Sequence, residues 1–235
     1  MNNDNDIKQP ENAGEQTDTC GLISSPAFCY TSDFFHLSLM DCMEGMRAYP
    51  DKYFDLAIVD PPYGIGYERG GQYFDEKQYG DKKWDTPPNK EYFDELMRVS
   101  KNQIIWGSNY YVMPPTRCVL AWVKTAELQG RTFSEHEIAW TSFNTVARYI
   151  ELKPFQRNGE RIHPTQKPVK LYEWLLKNYA KEGDKILDTH LGSGSSVIAC
   201  YNLNYHITGY EIDADYFTAM KRRIEEHMKQ QRLFG

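Results

Sequence analysis

Asp60-Pro61-Pro62-Tyr63 places a carboxylate, a stiff pair of main-chain carbonyls and an aromatic face side by side. Two successive prolines fix φ and carry no N–H, so the carbonyls beside them are presented rigidly as acceptors. Acceptors next to a stacking ring suit the exocyclic amine of a planar heterocycle, such as N6 of adenine or N4 of cytosine. The same four residues can also be read as a proline-rich turn after a core strand.

A second group of residues carries different chemistry. Ile186-Leu187-Asp188-Thr189-His190-Leu191-Gly192-Ser193-Gly194-Ser195 reads as a buried strand, a glycine turn and the start of a helix. Glycines there let backbone approach a ligand, and the helix N–H groups face it. Further on, Ile207-Thr208-Gly209-Tyr210-Glu211 is a strand with an acidic end, placed to accept from ribose hydroxyls. The pair suits an adenosine-containing cofactor, and on its own it fits NAD equally well. No lysine follows the glycines, which disfavours a nucleotide-triphosphate loop.

These residues need a scaffold that brings strand ends together. Apolar runs predict strands near 34–39, 54–59, 102–106, 118–123, 135–141, 145–150, 185–189 and 206–210. Helices are expected from the Asn89 cap to Arg98, from Pro168 to Ala180, from Ser195 to Leu203 and from about Asp213 onward. Such alternation implies a doubly wound α/β sheet. Phe143, Asn144 and Thr145 join two strand-like runs too closely for a helix, which predicts an antiparallel hairpin at one sheet edge. Gly64 to Pro88 has no periodicity and is rich in Gly, Tyr, Asp and Lys, as a functional loop would be.

A chain of 235 residues suits one large domain, here residues 26–235, after a polar tail at 1–25. The five cysteines form no C-x-x-C pair, and no histidine pair has metal-ligand spacing, so neither a disulfide framework nor a metal is expected. Neither a leader peptide nor a membrane span is visible, and the expected compartment is the cytoplasm. A net charge of −6 does not advertise a nucleic-acid binder. Its distribution is more informative: Arg148, Lys153, Arg157, Arg161, Lys167 and Lys170 outnumber Glu151 and Glu160, with Tyr149 and Phe155 interleaved. That strip can contact a nucleic-acid backbone or be a solvated hairpin.

Asp60 to Tyr63 ahead of the Asp188 to Gly194 strand, with His163-Pro164-Thr165-Gln166-Lys167-Pro168 just before it, closely resembles the β-type amino DNA methyltransferases. The likeness covers about residues 33–227. It implies a Rossmann-like fold with a seven-stranded mixed sheet and a circularly permuted order, with a catalytic half at 33–160 preceding a cofactor half at 161–235. The usual Asp-Pro-Phe-x-Gly-Ser-Gly-Thr motif reads Asp188-Thr189-His190-Leu191-Gly192-Ser193-Gly194-Ser195 here, so its middle departs from the family.

By resemblance the cofactor is S-adenosylmethionine (SAM). Asp188, Gly192, Ser193 and Gly194 would hold its methionine portion, Glu211 its ribose, and Asp41 would lie near its adenine. Thr165 and Lys167 would approach its carboxylate. His163 reads as an ordering hydrogen bond of its loop, and Glu135, His136, Glu137 and Trp140 as framework.

Asp60, Pro61, Pro62 and Tyr63 would act on an adenine flipped out of double-stranded DNA, because an aspartate at the head of the motif favours N6-adenine over N4-cytosine in this family. Tyr67, Arg148, Lys153, Arg157 and Arg161 are candidate DNA contacts. Only about residues 141–161 are available as a recognition region, which predicts a short site. The resemblance leaves open a homodimer and a cognate restriction endonuclease as partners. Rival readings are an RNA adenine methyltransferase, a nicotinamide-dependent oxidoreductase and an inactive DNA-binding regulator.

Overall fold

The computed structural model describes residues 29–65, 85–124, 134–154 and 161–234. The expected tail at 1–25, Tyr67 and most of the Gly64 to Pro88 loop, and Arg157, lie outside the described residues.

Near-continuous apolar runs build the centre of the sheet. β2 (Phe35–Leu39), β3 (Phe54–Val59), β4 (Ser100–Trp106), β8 (Lys185–Asp188) and β9 (His206–Glu211) lie in the order β2-β9-β8-β3-β4 and are mutually parallel. Parallel strands buried on both faces need apolar side chains at consecutive positions, and β3 has them. Its Leu56 and Ile58 join one core layer, while Ala57 and Val59 join the other.

Helices cover both layers. α1 (Cys42–Arg47) and α2 (Lys90–Val99) pack with Met46, Tyr92, Leu96 and Val99 on one side. On the other side α3 (Val169–Tyr179), α4 (Ser195–Asn202) and α5 (Ala214–Phe234) contribute Leu171, Leu175, Val197, Ile198, Met220 and Ile224. The Asn89 side chain accepts from the Tyr92 N–H at 3.1 Å, which caps α2 as the sequence predicts. α1 had no sequence prediction; Asp41 caps it by accepting from the Met43 N–H at 2.8 Å.

Beyond the parallel core, β1 (Cys29–Ser32) folds back antiparallel on β2, while β5 (Val119–Val123), β6 (His136–Thr141) and β7 (Arg148–Glu151) extend the other edge. Among the described residues the sheet therefore has nine strands, where seven were expected. The expected hairpin across 143–145 does not form. β6 is already paired antiparallel on both edges, to β4 and to β5. β7 must therefore take the free edge of β5, where it runs parallel.

Sequence neighbours lie to opposite sides of the junction between β8 and β3, with β9 beyond one and β4 beyond the other. In open α/β sheets such a switch point opens a crevice at the carboxyl ends of the strands. No helix among the described residues is long and apolar enough to cross a membrane.

Candidate active site

Parallel pairing sends the carboxyl ends of β3, β8, β9 and β2 to one edge, so Asp60, Glu211 and Asp41 line one cleft of about 470 Å³, together with Thr189 and His190 after β8; Asp188 itself lies buried just behind the lining. Pro61, Pro62, Tyr63, Tyr92, Thr165, Lys167, Gly192 and Ser193 line it too. This volume is within the usual range for a small-ligand site.

On the β8 and β9 side, the turn after Asp188 has Gly192 at φ 48° and Gly194 at φ 71°, where a side chain is strained. Glu211 braces this turn from the next strand: Oε2 accepts from the Gly192 N–H at 2.8 Å and Oε1 from the Asp213 N–H at 2.9 Å. From behind, the Arg223 guanidinium donates to the Ser193 carbonyl at 2.6 Å and to Ser195 Oγ at 3.0 Å. Arg223 had no sequence signal, because α5 meets the turn only through tertiary packing.

Asp188 is 2% exposed. Oδ2 accepts from the Ser196 hydroxyl at 2.6 Å and Oδ1 from the His190 N–H at 3.0 Å. Burial pushes its carboxyl up to about 7 against these two hydrogen bonds. Burial also holds the His190 imidazole down at about 4 and thus neutral at pH 7.

A folded-state value above the unfolded one, about 4, means that the fold binds the proton more tightly than the open chain does. The associated stability is complete at acid pH and is lost as pH rises through about 7. Thermal denaturation of the ligand-free protein should therefore show a Tm that falls between about pH 4 and 7. Asp60 and Glu211 are raised by burial as well, so Asp188→Asn should flatten this slope without removing it.

On the β3 side, Asp60 follows the strand and its two oxygens face different partners. Oδ1 accepts from the Tyr63 hydroxyl at 2.6 Å, and Oδ2 meets Lys167 Nζ at 2.5 Å. Lys167 also meets Glu137 Oε2 at 2.9 Å, and Glu137 Oε1 meets Lys124 Nζ at 2.8 Å. Glu137 is thus a site residue that sequence reasoning left as framework. Antiparallel pairing of β6 with β4, in the register Trp106 to Ala139, brings the start of β6 to the carboxyl end of β4.

The Pro61 carbonyl accepts from the Tyr111 hydroxyl at 2.7 Å, which is also 2.9 Å from the Pro62 carbonyl. Tyr63 stacks on Tyr110, with ring centroids 4.9 Å apart and planes 17° apart. Tyr110 and Tyr111 belong to the turn Ser108–Tyr110 and its cap, and neither has a sequence signal.

Two expected cofactor contacts line the cleft with their side chains bonded to the protein. The Lys167 ammonium, expected near a cofactor carboxylate, lies on Asp60 and Glu137. Asp41 lines the cleft while its side chain caps α1. Thr165 lines the cleft too, and its hydroxyl is 3.1 Å from His163 Nδ1, which gives His163 the expected loop-ordering part.

Of the basic strip, Arg148 and Lys153 are exposed at the β7 edge. Arg161 instead donates to the His163 carbonyl at 3.2 Å and lines a separate cleft with Arg222 and Arg223. Among the described residues no group of His, Cys, Asp or Glu is arranged to hold a metal.

The fold and cleft define an α/β protein with two acid-ended strands and a glycine turn on one side of a switch point, and a carboxylate beside rigid carbonyls on the other. Residues 105–222, half of the chain, match the N6/N4 DNA methylase family, and the chain belongs to that family.

Over 210 residues it is 25% identical to YubD of Escherichia coli (strain K12), a protein assigned as a methylase, covering 78% of this chain and 87% of that one. The type II methyltransferase M.HpaI of Haemophilus parainfluenzae is 40% identical over 67 residues, 28% of this chain and 21% of that protein.

Two solved structures share the fold. M1.HpyAVI, crystallised with SAM, has 20% identity and a TM-score of 0.53, covering 81% of this chain and 100% of that one. The cytosine-N4-specific PvuII DNA methyltransferase has 14% identity and a TM-score of 0.59, covering 85% and 92% respectively.

Proposed function

We propose that this chain transfers a methyl group from SAM to N6 of an adenine extruded from duplex DNA, as a permuted, β-type member of its family. The observation that carries the reading is the placement of Asp60 and Pro61 in the same cleft as Glu211 and the Gly192-Ser193 turn.

The residues present fit SAM. Asp188, buried with its oxygens on the His190 N–H and the Ser196 hydroxyl, would hold the turn in shape, the Glu211 carboxylate has acceptor positions left for ribose hydroxyls, and the glycine turn lets a ligand approach the backbone. When bound, SAM supplies an electrophilic methyl group on a sulfonium. An adenine amine is a poor nucleophile because its lone pair is delocalised into the ring. Asp60 and the Pro61 carbonyl accept its two N–H groups, favour a pyramidal nitrogen and offset the positive charge that develops there.

The Asp60 and Pro61 oxygens each have a second lone pair, so the amine can join the Tyr63, Lys167 and Tyr111 donors already present. After transfer Asp60 is placed to take the proton from the nitrogen. The Tyr110 ring stacks on Tyr63, so a flipped base that uses this face takes the place of Tyr110. Extrusion costs a few kcal/mol, which contacts to the base and the backbone offset. Arg148 and Lys153 are exposed for the backbone contacts.

Mass spectrometry and base-resolved sequencing of DNA from cells expressing the chain test this reading. N6-methyladenine in a short sequence context is the expected product. N4-methylcytosine would move the target to cytosine, and modification confined to RNA would overturn the DNA assignment.

A further inference from the structure

An ammonium group has three N–H donors, and the protein supplies three acceptors to Lys167. Nζ lies 2.5 Å from Asp60 Oδ2, 2.9 Å from Glu137 Oε2 and 3.2 Å from the Tyr63 hydroxyl oxygen. That set uses the group completely and leaves no donor for a cofactor carboxylate. Lys167 is only 3% exposed, and its ammonium is 5.6 Å from the ring centroids of both Trp106 and Tyr63.

The surrounding loop is held before the side chain is aimed. Gln166 Oε1 accepts from the Ile162 N–H at 3.2 Å, and the Thr165 N–H donates to His163 Nδ1 at 3.3 Å. Glu137 anchors the far side, since Lys124 binds its other oxygen. Two carboxylates and two ammonium groups then alternate from Asp60 to Lys124, with the charges balanced.

We propose that Lys167, anchored by Glu137, is a positioning residue that aims the Asp60 carboxylate, and that it does not contact the cofactor. This rests on the functional reading above and adds to it a second strand-borne acid, Glu137, acting through Lys167. The network orients more than one group. The Tyr63 hydroxyl donates to Asp60 Oδ1 and accepts from Lys167, so the carboxylate plane and the ring plane are set together. A carboxylate with one oxygen held by a buried cation keeps its remaining acceptor direction toward the cleft.

The charged and titratable groups that face Asp60 or act on it are Lys167, Glu137, Tyr63, Tyr111, Tyr172 and Asp188. Burial raises the Asp60 carboxyl, the Lys167 charge lowers it and the Glu137 charge raises it. Removing Lys167 or Glu137 must therefore move Asp60 in opposite directions, which a merely structural role does not do.

The test uses the full chain and the variants Lys167→Gln, Lys167→Arg and Glu137→Gln. SAM affinity is read by calorimetry, the Asp60 midpoint from its carboxyl carbon-13 resonance, and methyl transfer by single-turnover kinetics. Lys167→Gln should leave the SAM Kd within threefold, raise the Asp60 midpoint by about one pH unit, and slow transfer about tenfold, in line with the rate change that 1.4 kcal/mol gives. Lys167→Arg should keep the midpoint near the wild-type value. Glu137→Gln should lower it.

A tenfold or larger rise in SAM Kd for Lys167→Gln with an unmoved Asp60 midpoint overturns the proposal. If Lys167→Gln does not fold, Glu137→Gln decides, since Lys167 there keeps Asp60 as its partner; an unmoved midpoint then overturns it. Absence of transfer by the wild type, with the midpoints moving as stated, defeats the functional reading and leaves the positioning intact.

Discussion

Asp60→Ala should lower methyl transfer by at least about a thousandfold, the scale on which removal of a directed charge at a reacting centre is felt. SAM binding should stay within about threefold, because Asp188, Glu211 and the glycine turn belong to other strands. The fold should survive as well. Lys167 keeps Glu137 as a partner when Asp60 is removed, so no buried cation is left alone. Asp60→Asn separates charge from shape. Its side chain can still accept from the Tyr63 hydroxyl, which is 2.6 Å from Oδ1 in the wild type, yet it should lose nearly as much activity. Single-turnover transfer and calorimetry on the same preparations check both outcomes. Transfer retained within tenfold in Asp60→Ala would remove the carboxylate from the mechanism.

Gly107→Ala is the second large effect expected, and it is a backbone effect. Gly107 has φ 71°, and a Cβ built there would be 2.1 Å from the Tyr63 ring. The left-handed conformation and the overlap each cost about 1–3 kcal/mol. Together they should lower the Tm by roughly 5–15 °C for a chain of this size. The only relief available is for Tyr63 to move, which pulls its hydroxyl from Asp60 and opens its stack on Tyr110. Transfer should therefore fall about a hundredfold even at temperatures where the variant is folded, the loss that a displacement of about 1 Å in a reacting geometry brings. Scanning calorimetry and transfer at 15 °C measure the two parts. Normal transfer in a destabilised variant would show that the ring's position does not matter to catalysis.

Much of this site was legible in the chain because one local rule generates it. A continuous apolar run predicts a strand buried on both faces, and parallel pairing carries the carboxyl end of every such strand to one edge. Asp60, Asp188 and Glu211 could thus be placed at one edge without knowing any contact between them; Asp60 and Glu211 line the cleft there, and Asp188 lies buried behind the turn that does. The cap at Asn89 and the bounds of α2 and α3 followed from equally local chemistry.

Other residues had no local signal. Glu137 enters from an antiparallel strand whose register only the sheet sets. Tyr110 and Tyr111 arrive on a short turn after Gly107. Arg223 reaches the glycine turn from α5, a helix of about six turns.

Lys167 combines both cases. The likeness of its loop, His163 to Pro168, to the family's motif marked it as a cation of the site. Its partner had no such mark: Asp60 is 107 residues away, and the nearest acceptors depend on how β3, β6 and the loop before α3 converge. Sequence by itself determined which chemical groups stand at the strand ends, since that depends on short-range pattern. Tertiary structure alone decided which group each one touches, since a hydrogen bond is set by ångström distances between elements far apart in the chain.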